Sequence, residues 1–245
     1  AGTGGILLGA NTLDIAGGAS VANALTASSG ATLTSSSGGG TLAAGTLTLP
    51  DGATLNLGSA GGGTLTVARV IAEVAGGSAE TVTVTGGTVA LAAANTYTGD
   101  TTVGGGTLRI SGAGVAGTGG ILLGANTLDI ADGASVANAL TASSGATLGS
   151  SSGGGTLAAG TLTLADGATL NLAGGSSSTL TVVRGIADVA GGSAESVNVS
   201  GGRVTLEGSN SYTGGTTLGN GSTLRLNNTT AGTGAIDVGA GTLEL

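Results

Sequence analysis

The chain has 245 residues, 54 of them Gly, and contains no His, Cys, Met, Phe or Trp. Without imidazole or thiolate groups it cannot form a Ser-His-Asp triad, a Cys-His pair or a typical zinc site, which predicts that it is not an enzyme and uses no cofactor. Its net charge of −8, with five separated arginines as its basic residues, predicts no nucleic-acid partner.

Short runs that alternate a polar with an aliphatic residue lie between the Gly clusters. In chain order they are TLTL (46–49), TLNL (54–57), TLTV (64–67), TVTV (81–84), TVAL (88–91) and TLRI (107–110). A period of two indicates short β-strands with one buried face, a setting that β-branched residues favour. Gly, Asn, Asp and Ser occupy the predicted corners. The segment 69–75 is predicted to be extended, because its apolar pattern is too short and too β-branched for a helix.

The sequence repeats itself with a period of 115 residues. Residues 1–115 and 116–230 are two copies, and residues 231–245 begin a third. Residues 1–60 are identical to residues 116–175 at 54 of 60 positions, and no linker separates the copies. Uninterrupted copies are typical of a solenoid, because each unit only has to match its neighbours. The sequence therefore predicts one continuous solenoid.

The predicted fold is all-β: a parallel β-helix, or β-solenoid, of about twelve rungs with roughly 20 residues each. Small aliphatic residues would fill its lumen and Thr would line its outside. The alternative is an antiparallel sandwich or barrel, which would require two domains with a junction between the copies. The absence of a linker at 115/116 favours the solenoid.

Both tyrosines of the chain lie in a motif that occurs once in each copy, NTYTGDTT at 95–102 and NSYTGGTT at 210–217. The stretches around these motifs resemble the passenger-associated transport repeat of Gram-negative autotransporters, with its pattern Asn-x-Tyr-Thr-Gly-Gly-Thr-Thr followed by Gly-Thr-Leu. The matching residues are Asn95, Tyr97, Thr98, Gly99, Thr101 and Thr102 in the first copy, and Asn210, Tyr212, Thr213, Gly214, Thr216 and Thr217 in the second. Asp100 replaces the second Gly of the pattern in the first copy.

The resemblance implies a secreted passenger region at the bacterial cell surface, folded as a right-handed β-helix. It also implies that the motif residues aid secretion and folding rather than catalysis. The outer-membrane barrel of such a protein is expected outside this sequence. No apolar run approaches the roughly 20 residues that would span a bilayer, and we expect the chain to be a piece of something longer.

The two tyrosines predict a structural role. A large amphipathic ring near a corner can cover the lumen or stack on a neighbouring rung while its hydroxyl reaches water or a backbone group. The functional alternative is an exposed aromatic ring that stacks on a sugar.

The acidic residues offer two further candidate sites. Asp51 and Asp166 occupy equivalent corners, where isolated calcium sites are an alternative to a structural role. The second candidate site consists of Glu73, Glu80, Asp188 and Glu195. They could perform acid–base chemistry only if they converged in a cleft, and we expect them to form a solvated face instead.

Threonine pairs on successive rungs could form flat hydroxyl ladders of the kind that bind ice. The pairs are Thr46/Thr48, Thr64/Thr66 and Thr81/Thr83, and they would qualify if they align. Ordinary β-propensity explains the same residues.

The function predicted from the sequence is that of a non-enzymatic structural or adhesive segment of a secreted bacterial surface protein. Its expected partners are further copies of itself, because a solenoid cut between repeats presents an unpaired edge, or ligands on host or other cell surfaces. The alternatives are a self-assembling filament or layer subunit, and a passive stalk for a separate functional domain.

Overall fold

The computed structural model describes residues 2–189 and 191–245. All regular secondary structure in them is β-strand, and neighbouring strands pair in parallel to form a β-solenoid of about 11 turns. This confirms the predicted parallel β-helix, with slightly fewer turns than the twelve expected. The handedness of the coil stays a prediction. No helix capable of crossing a membrane occurs in the described residues.

The chain divides into two compact units, Ala1–Ile121 and Leu122–Leu245. The strands of the first unit are β1 (Ile6–Leu8), β2 (Thr12–Asp14), β3 (Ser20–Val21), β4 (Leu25–Ala27), β5 (Thr32–Ser35), β6 (Gly40–Leu42), β7 (Thr46–Leu49), β8 (Thr54–Ser59), β9 (Thr64–Val67), β10 (Val70–Glu73), β11 (Thr81–Leu91) and β12 (Thr101–Ser111). The segment 69–75, predicted to be extended, contains strand β10.

The turns of the first unit form three parallel sheets, and the turn that contains residues 92–100 has no strand in the first of them. The first sheet contains β1, β4, β7 and β10. The second contains β2, β5, β8 and the first halves of β11 and β12, and the third contains β3, β6, β9 and their second halves. Strand β11 serves two sheets because its register shifts at Thr85, where the strand turns a corner.

The register of the second sheet stacks like residues on like. The inward column is Leu13, Leu33, Leu57, Val84 and Val103. The outward column is Thr12, Thr32, Asn56, Thr83 and Thr102. Because side chains alternate between the two faces of a strand, one column fills the lumen and the other faces solvent. The aliphatic lumen predicted from the sequence is confirmed.

The second unit repeats this pattern. Its strands are β13 (Ile121–Leu123), β14 (Thr127–Ala131), β15 (Ser135–Val136), β16 (Leu140–Ala142), β17 (Thr147–Ser150), β18 (Gly155–Leu157), β19 (Leu162–Leu164), β20 (Thr169–Gly174), β21 (Thr179–Val182), β22 (Ile186–Ala187), β23 (Ser196–Gly201), β24 (Arg203–Leu206), β25 (Thr216–Leu218), β26 (Thr223–Leu226), β27 (Ile236–Asp237) and β28 (Thr242–Glu244), where β13 includes the last residue of the first unit. Its inward column on the second sheet is Leu128, Leu148, Leu172, Val199 and Leu218.

The three threonine pairs proposed as one ladder lie on three different sheets. Those of β7 are on the first sheet, those at the start of β11 on the second and those of β9 on the third. The condition that these pairs align is therefore not met, because up to three strands complete each turn and the spacing of the Thr pairs along the chain places each pair on a different side. The outward column of the second sheet also includes Asn56, so it is not a pure threonine ladder.

Candidate functional site

The turn that carries the first motif has no strand in the first sheet, and an asparagine side chain takes its place. Asn95 is 2% exposed. Its Oδ1 accepts a hydrogen bond from the backbone N–H of Ile71 at 2.8 Å, in the preceding turn, and its Nδ2 donates to the carbonyl of Val115 at 2.6 Å, in the following one. The amide of Asn95 thus satisfies backbone groups on both sides that a strand would have paired.

The second motif repeats this bridge. Asn210 Oδ1 accepts from the backbone N–H of Ile186 at 3.0 Å, and its Nδ2 donates to the carbonyl of Thr230 at 2.6 Å. Asn210 is also buried. The family-motif Asn is therefore a bridge between turns in both units.

Both tyrosines fill the lumen of their motif turns, and neither is exposed at all. The hydroxyls of Tyr97 and Tyr212 lie 2.6 Å from Oγ1 of Thr101 and Thr216. Burial raises the pKa of both phenols, that of Tyr212 to about 12, so both stay neutral at ordinary pH. The sugar-stacking alternative is wrong, and the hydroxyl reaches a threonine side chain rather than water or backbone.

The two threonines that receive the tyrosine hydroxyls are themselves buried, unlike most Thr of the solenoid. Thr101 Oγ1 donates to the carbonyl of Ala116 at 3.3 Å, and Thr216 Oγ1 donates to that of Ala231 at 3.0 Å. Each chain of hydrogen bonds thus runs from a tyrosine through a threonine to the backbone of the next turn.

The tyrosine ring packs against a glycine of the next turn. Gly117 has φ +62°, and a Cβ added to it would lie 2.5 Å from Cε2 of Tyr97. Gly232 has the same relation to Tyr212, at 2.6 Å. The AGTG sequence that opens the second and third copies is therefore the surface on which each motif ring packs.

The remaining motif residues of the first copy hold the loop of the preceding turn. Thr98 donates from its backbone N–H and its Oγ1 to Glu73 Oε2, at 2.9 and 3.0 Å. The N–H of Gly99 donates to the carbonyl of Glu80 at 2.9 Å, an approach that leaves no space for a Cβ. Thr102 lies in the outward column of the second sheet, paired with Thr83.

The second copy is arranged in the same way. The N–H of Thr213 donates to Asp188 Oδ2 at 2.8 Å, and the N–H of Gly214 donates to the carbonyl of Glu195 at 2.8 Å. Thr217 lies in β25, paired with Asn198.

The acidic residues under the first motif form a close pair rather than a solvated face. Glu80 is 1% exposed, so the expectation of a solvated face is wrong for it. Its Oε1 accepts from the N–H of Gly52 at 3.2 Å, while its Oε2 has no other partner than the adjacent carboxyl of Glu73. Burial, and then the hydrogen bond with Glu73, raise the pKa of Glu80. That same bond lowers the pKa of Glu73.

The second copy places Asp188 and Glu195 in the same relation. Glu195 is 0% exposed, so the solvated-face expectation is wrong for it too. Burial, and then the hydrogen bond with Asp188, raise the pKa of Glu195. Burial opposes ionisation of Asp188, but hydrogen bonds from Thr213 and Glu195 outweigh it and lower the pKa of Asp188.

A buried arginine, which the sequence analysis missed, ties three turns of the first unit together. Arg69 is 1% exposed. Its guanidinium donates only to backbone carbonyls, those of Ala43 at 2.8 Å, Asn23 at 2.6 Å, Thr46 at 3.4 Å and Val21. Burial lowers the pKa of Arg69, although it stays charged because an unperturbed guanidinium titrates far above neutral pH.

Arg184 is the equivalent arginine of the second unit. It donates to the carbonyls of Ala158 at 2.6 Å, Asn138 at 2.6 Å, Thr161 at 2.8 Å and Val136 at 2.9 Å. A signal was present in the sequence: two of five arginines stand at one repeat position, although the residues on either side of them differ between the copies.

The corner aspartates cap loops of the following turn. Asp51 Oδ1 accepts from the N–H groups of Gly77 and Ser78 at 3.1 and 2.6 Å. Asp166 accepts from the N–H of Ser193. Among the described residues, no group of three or more His, Cys, Asp or Glu side chains is placed to hold a metal ion.

Comparison with known proteins matches the two motif turns to one family. The model of the passenger-associated-transport-repeat family matches residues 86–110 and 200–226, together about a fifth of the chain. The resemblance predicted from the Asn-x-Tyr motif is thereby confirmed, and it is consistent with an autotransporter passenger region. Searches of curated proteins and of solved structures found no match.

Proposed function

We propose that this chain, whose two motif turns match the passenger-associated transport repeat, is a non-enzymatic structural segment of a secreted autotransporter passenger. It extends from the bacterial cell surface and mediates adhesion or self-association through its outward faces. Its partners are further copies of the same chain or ligands on other cell surfaces.

The observation that carries this proposal is that each motif is a complete layer of the solenoid. The Asn bridges two turns, the Tyr fills the lumen, and the exposed charged side chain of the first motif, Asp100, accepts a hydrogen bond from the N–H of Gly120. A motif used in this way stabilises a growing stack, since each turn is satisfied by its two neighbours.

The non-enzymatic part of the proposal rests on chemistry. The chain has no imidazole or thiol, each of the two carboxyl pairs has one buried member, and both phenols are buried. A general base and a nucleophile within reach of a bound substrate are therefore not assembled around the motifs.

The adhesive part of the proposal rests on the outward columns. On the second sheet of the second unit, Thr147, Asn171, Asn198 and Thr217 stack at successive turns, and Asn198 Nδ2 donates to Asn171 Oδ1 at 2.9 Å. Such a face offers hydroxyls and amides at the strand spacing of about 4.8 Å, with few charges to repel a second copy.

The test compares cells that make the full-length protein with cells that make a variant lacking residues 1–230. This deletion removes two whole sequence copies. Antibody against this segment should label intact cells, and the deletion should reduce cell–cell aggregation or attachment. If natural cells are labelled but the deletion leaves aggregation and attachment unchanged, the segment is a passive stalk and the adhesive part is overturned. Labelling only after the cells are broken would overturn the passenger assignment itself.

A further inference from the structure

We propose that the two carboxyl pairs, Glu73 with Glu80 and Asp188 with Glu195, each hold one shared proton and act as a pH-sensitive latch between a loop and the motif turn above it. The latch is closed at mildly acidic pH and weakens as the pH rises. This inference does not depend on the proposed adhesive role.

One carboxyl oxygen of Glu80 is buried without a hydrogen-bond donor. Its buried Oε2 has no donor, and a buried carboxylate oxygen without one is strongly unfavourable. The neighbouring group is another carboxyl, that of Glu73, which as an anion can only accept. A proton on Oε2 resolves both problems, because an O–H···O⁻ hydrogen bond then joins the two groups and one negative charge is removed from the interior.

The arrangement occurs twice, with a different partner. In the second copy Asp188 replaces Glu, yet its Oδ2 still accepts from Thr213, and its Oδ1 has no donor other than the pair partner. Both oxygens of Glu195 lack other donors too. A shared proton joins Asp188 Oδ1 to one oxygen of Glu195 as in the first pair, and the other oxygen of Glu195 stays without a donor.

The pair is placed to act as a latch because both members touch the motif turn. Glu73 receives both donors of Thr98, and the carbonyl of Glu80 receives the N–H of Gly99. Residues 74–79, between the two carboxyls, are exposed. When the shared proton leaves, two adjacent negative charges repel each other, and the loop and the motif turn are pushed apart.

The other charged groups around the pairs do not neutralise them. Asp51, from the preceding turn, accepts from the loop at Gly77 and Ser78, and adds negative charge beside the first pair. Asp100, next to Gly99, belongs to the turn above and binds the N–H of Gly120.

The second pair has fewer acidic neighbours. Asp166 is in the position of Asp51, while Gly215 replaces the second acid. The nearest arginines along the chain, Arg69 and Arg184, direct their guanidinium groups to backbone carbonyls.

The direction of the pH effect follows from the two shifts. The raised pKa of Glu80 and Glu195 contributes stability that is present at low pH and is lost as the pH rises through the raised value. The lowered pKa of Glu73 and Asp188 contributes stability that is lost as the pH falls through the lowered value. Each pair therefore stabilises the fold most between these two limits, where it holds one proton.

The decisive variant is E80Q/E195Q, which puts an uncharged amide donor where the shared proton sits. The Tm of the natural chain should fall by about 2–4 °C per pair as the pH is raised from about 5 to about 9, and that fall should vanish in E80Q/E195Q. The control E207Q removes an exposed carboxyl outside both pairs and should keep the fall. A natural chain with a flat profile, or a double variant that still loses stability, would overturn the latch.

A second measurement does not depend on how the variant folds. The chain has five Glu, so ¹³C labelling of the Glu side-chain carboxyl gives five resolvable signals. As the pH falls we expect two of them to become protonated before the others, and E80Q and E195Q to remove one each. Five signals that titrate together would disprove the shared proton.

Discussion

Three kinds of buried polar side chain replace backbone hydrogen bonds in this solenoid. Asn95 takes the place of a missing strand, and Tyr97 fills the lumen of the same turn. Arg69 donates hydrogen bonds to carbonyls of several turns. A buried guanidinium without a carboxylate carries a high desolvation cost. It is tolerated because its planar, forked donors meet several backbone carbonyls at once. At the scale of single residues, the polar core serves to satisfy the backbone.

Removing the arginine bridge should destabilise the first unit strongly. R69M would remove the arginine hydrogen bonds to four carbonyls, of which that of Val21 keeps a bond from the N–H of Ala43, and we expect a loss of about 2–4 kcal/mol in the free energy of unfolding. R69K should not restore the lost stability, because a single ammonium group cannot reach all the carbonyls that the planar guanidinium binds. The matched control is R225M at an exposed arginine, expected within about 0.5 kcal/mol of the natural chain in urea unfolding.

The tyrosine hydroxyl should matter less than the ring. Y97F removes the hydrogen bond to Thr101, which keeps its bond to Ala116, so we expect a loss of about 0.5–1.5 kcal/mol. Y97A opens a cavity in the lumen and should cost about 3–5 kcal/mol. Urea unfolding followed by far-UV circular dichroism measures both losses, because the substitutions themselves remove the fluorescence of Tyr97. Equal losses for Y97F and Y97A would contradict the packing role.

The motif turn is the element that distinguishes this solenoid from a plain stack of strands. It lacks a strand on the first sheet, and the Asn side chain spans the gap between the turns on either side. The chain passes the corner by a short irregular path, which leaves room for the Tyr ring in the lumen. The Asn, Tyr and following Gly of the next turn therefore form one packing unit.

Substitutions of the bridging asparagine should separate its donor from its acceptor role. N95A orphans the N–H of Ile71 and the carbonyl of Val115, and we expect a loss of about 2–4 kcal/mol. N95D keeps the acceptor but sets a buried carboxylate against the Val115 carbonyl, so it should be less stable than N95A at pH 7. Since burial favours the neutral acid, N95D should recover as the pH falls towards 4, whereas N95A should not. Thermal unfolding of both variants across this range makes the comparison.

The 115-residue repeat without a linker predicted the solenoid, and alternation of Thr with Leu or Val predicted its strands and its lumen. It could not assign a strand to a sheet, because three sides make up each turn, and the pairs at 46–48, 64–66 and 81–83 fell on three sides. The sequence pattern also predicted that Glu80 is exposed to solvent, since a single acidic residue that follows Gly and Ser is typical of a surface loop. Only the contact with Glu73, seven residues away across a loop, reveals its burial.

At the scale of the whole molecule, the repeated turns divide stability into local contributions. Within each unit, neighbouring turns are hydrogen-bonded to one another, and the two units carry the same arginine and motif contacts at positions 115 residues apart. In such solenoids stability is close to a sum of repeat and nearest-neighbour terms. Loss of one such contact should therefore loosen the turns that it ties and leave distant turns protected.

Hydrogen exchange can test this locality with the two equivalent arginines. Because Arg69 binds carbonyls between residues 21 and 46, R69M should speed amide exchange in residues 21–47 and leave residues 136–162 near their natural rates. R184M should do the reverse, since its carbonyls lie between residues 136 and 161. The losses of the two variants should add in the double variant to within about 0.5 kcal/mol. Faster exchange throughout the chain in either single variant would instead mean that all turns unfold as one cooperative unit, so that a single damaged turn weakens every other.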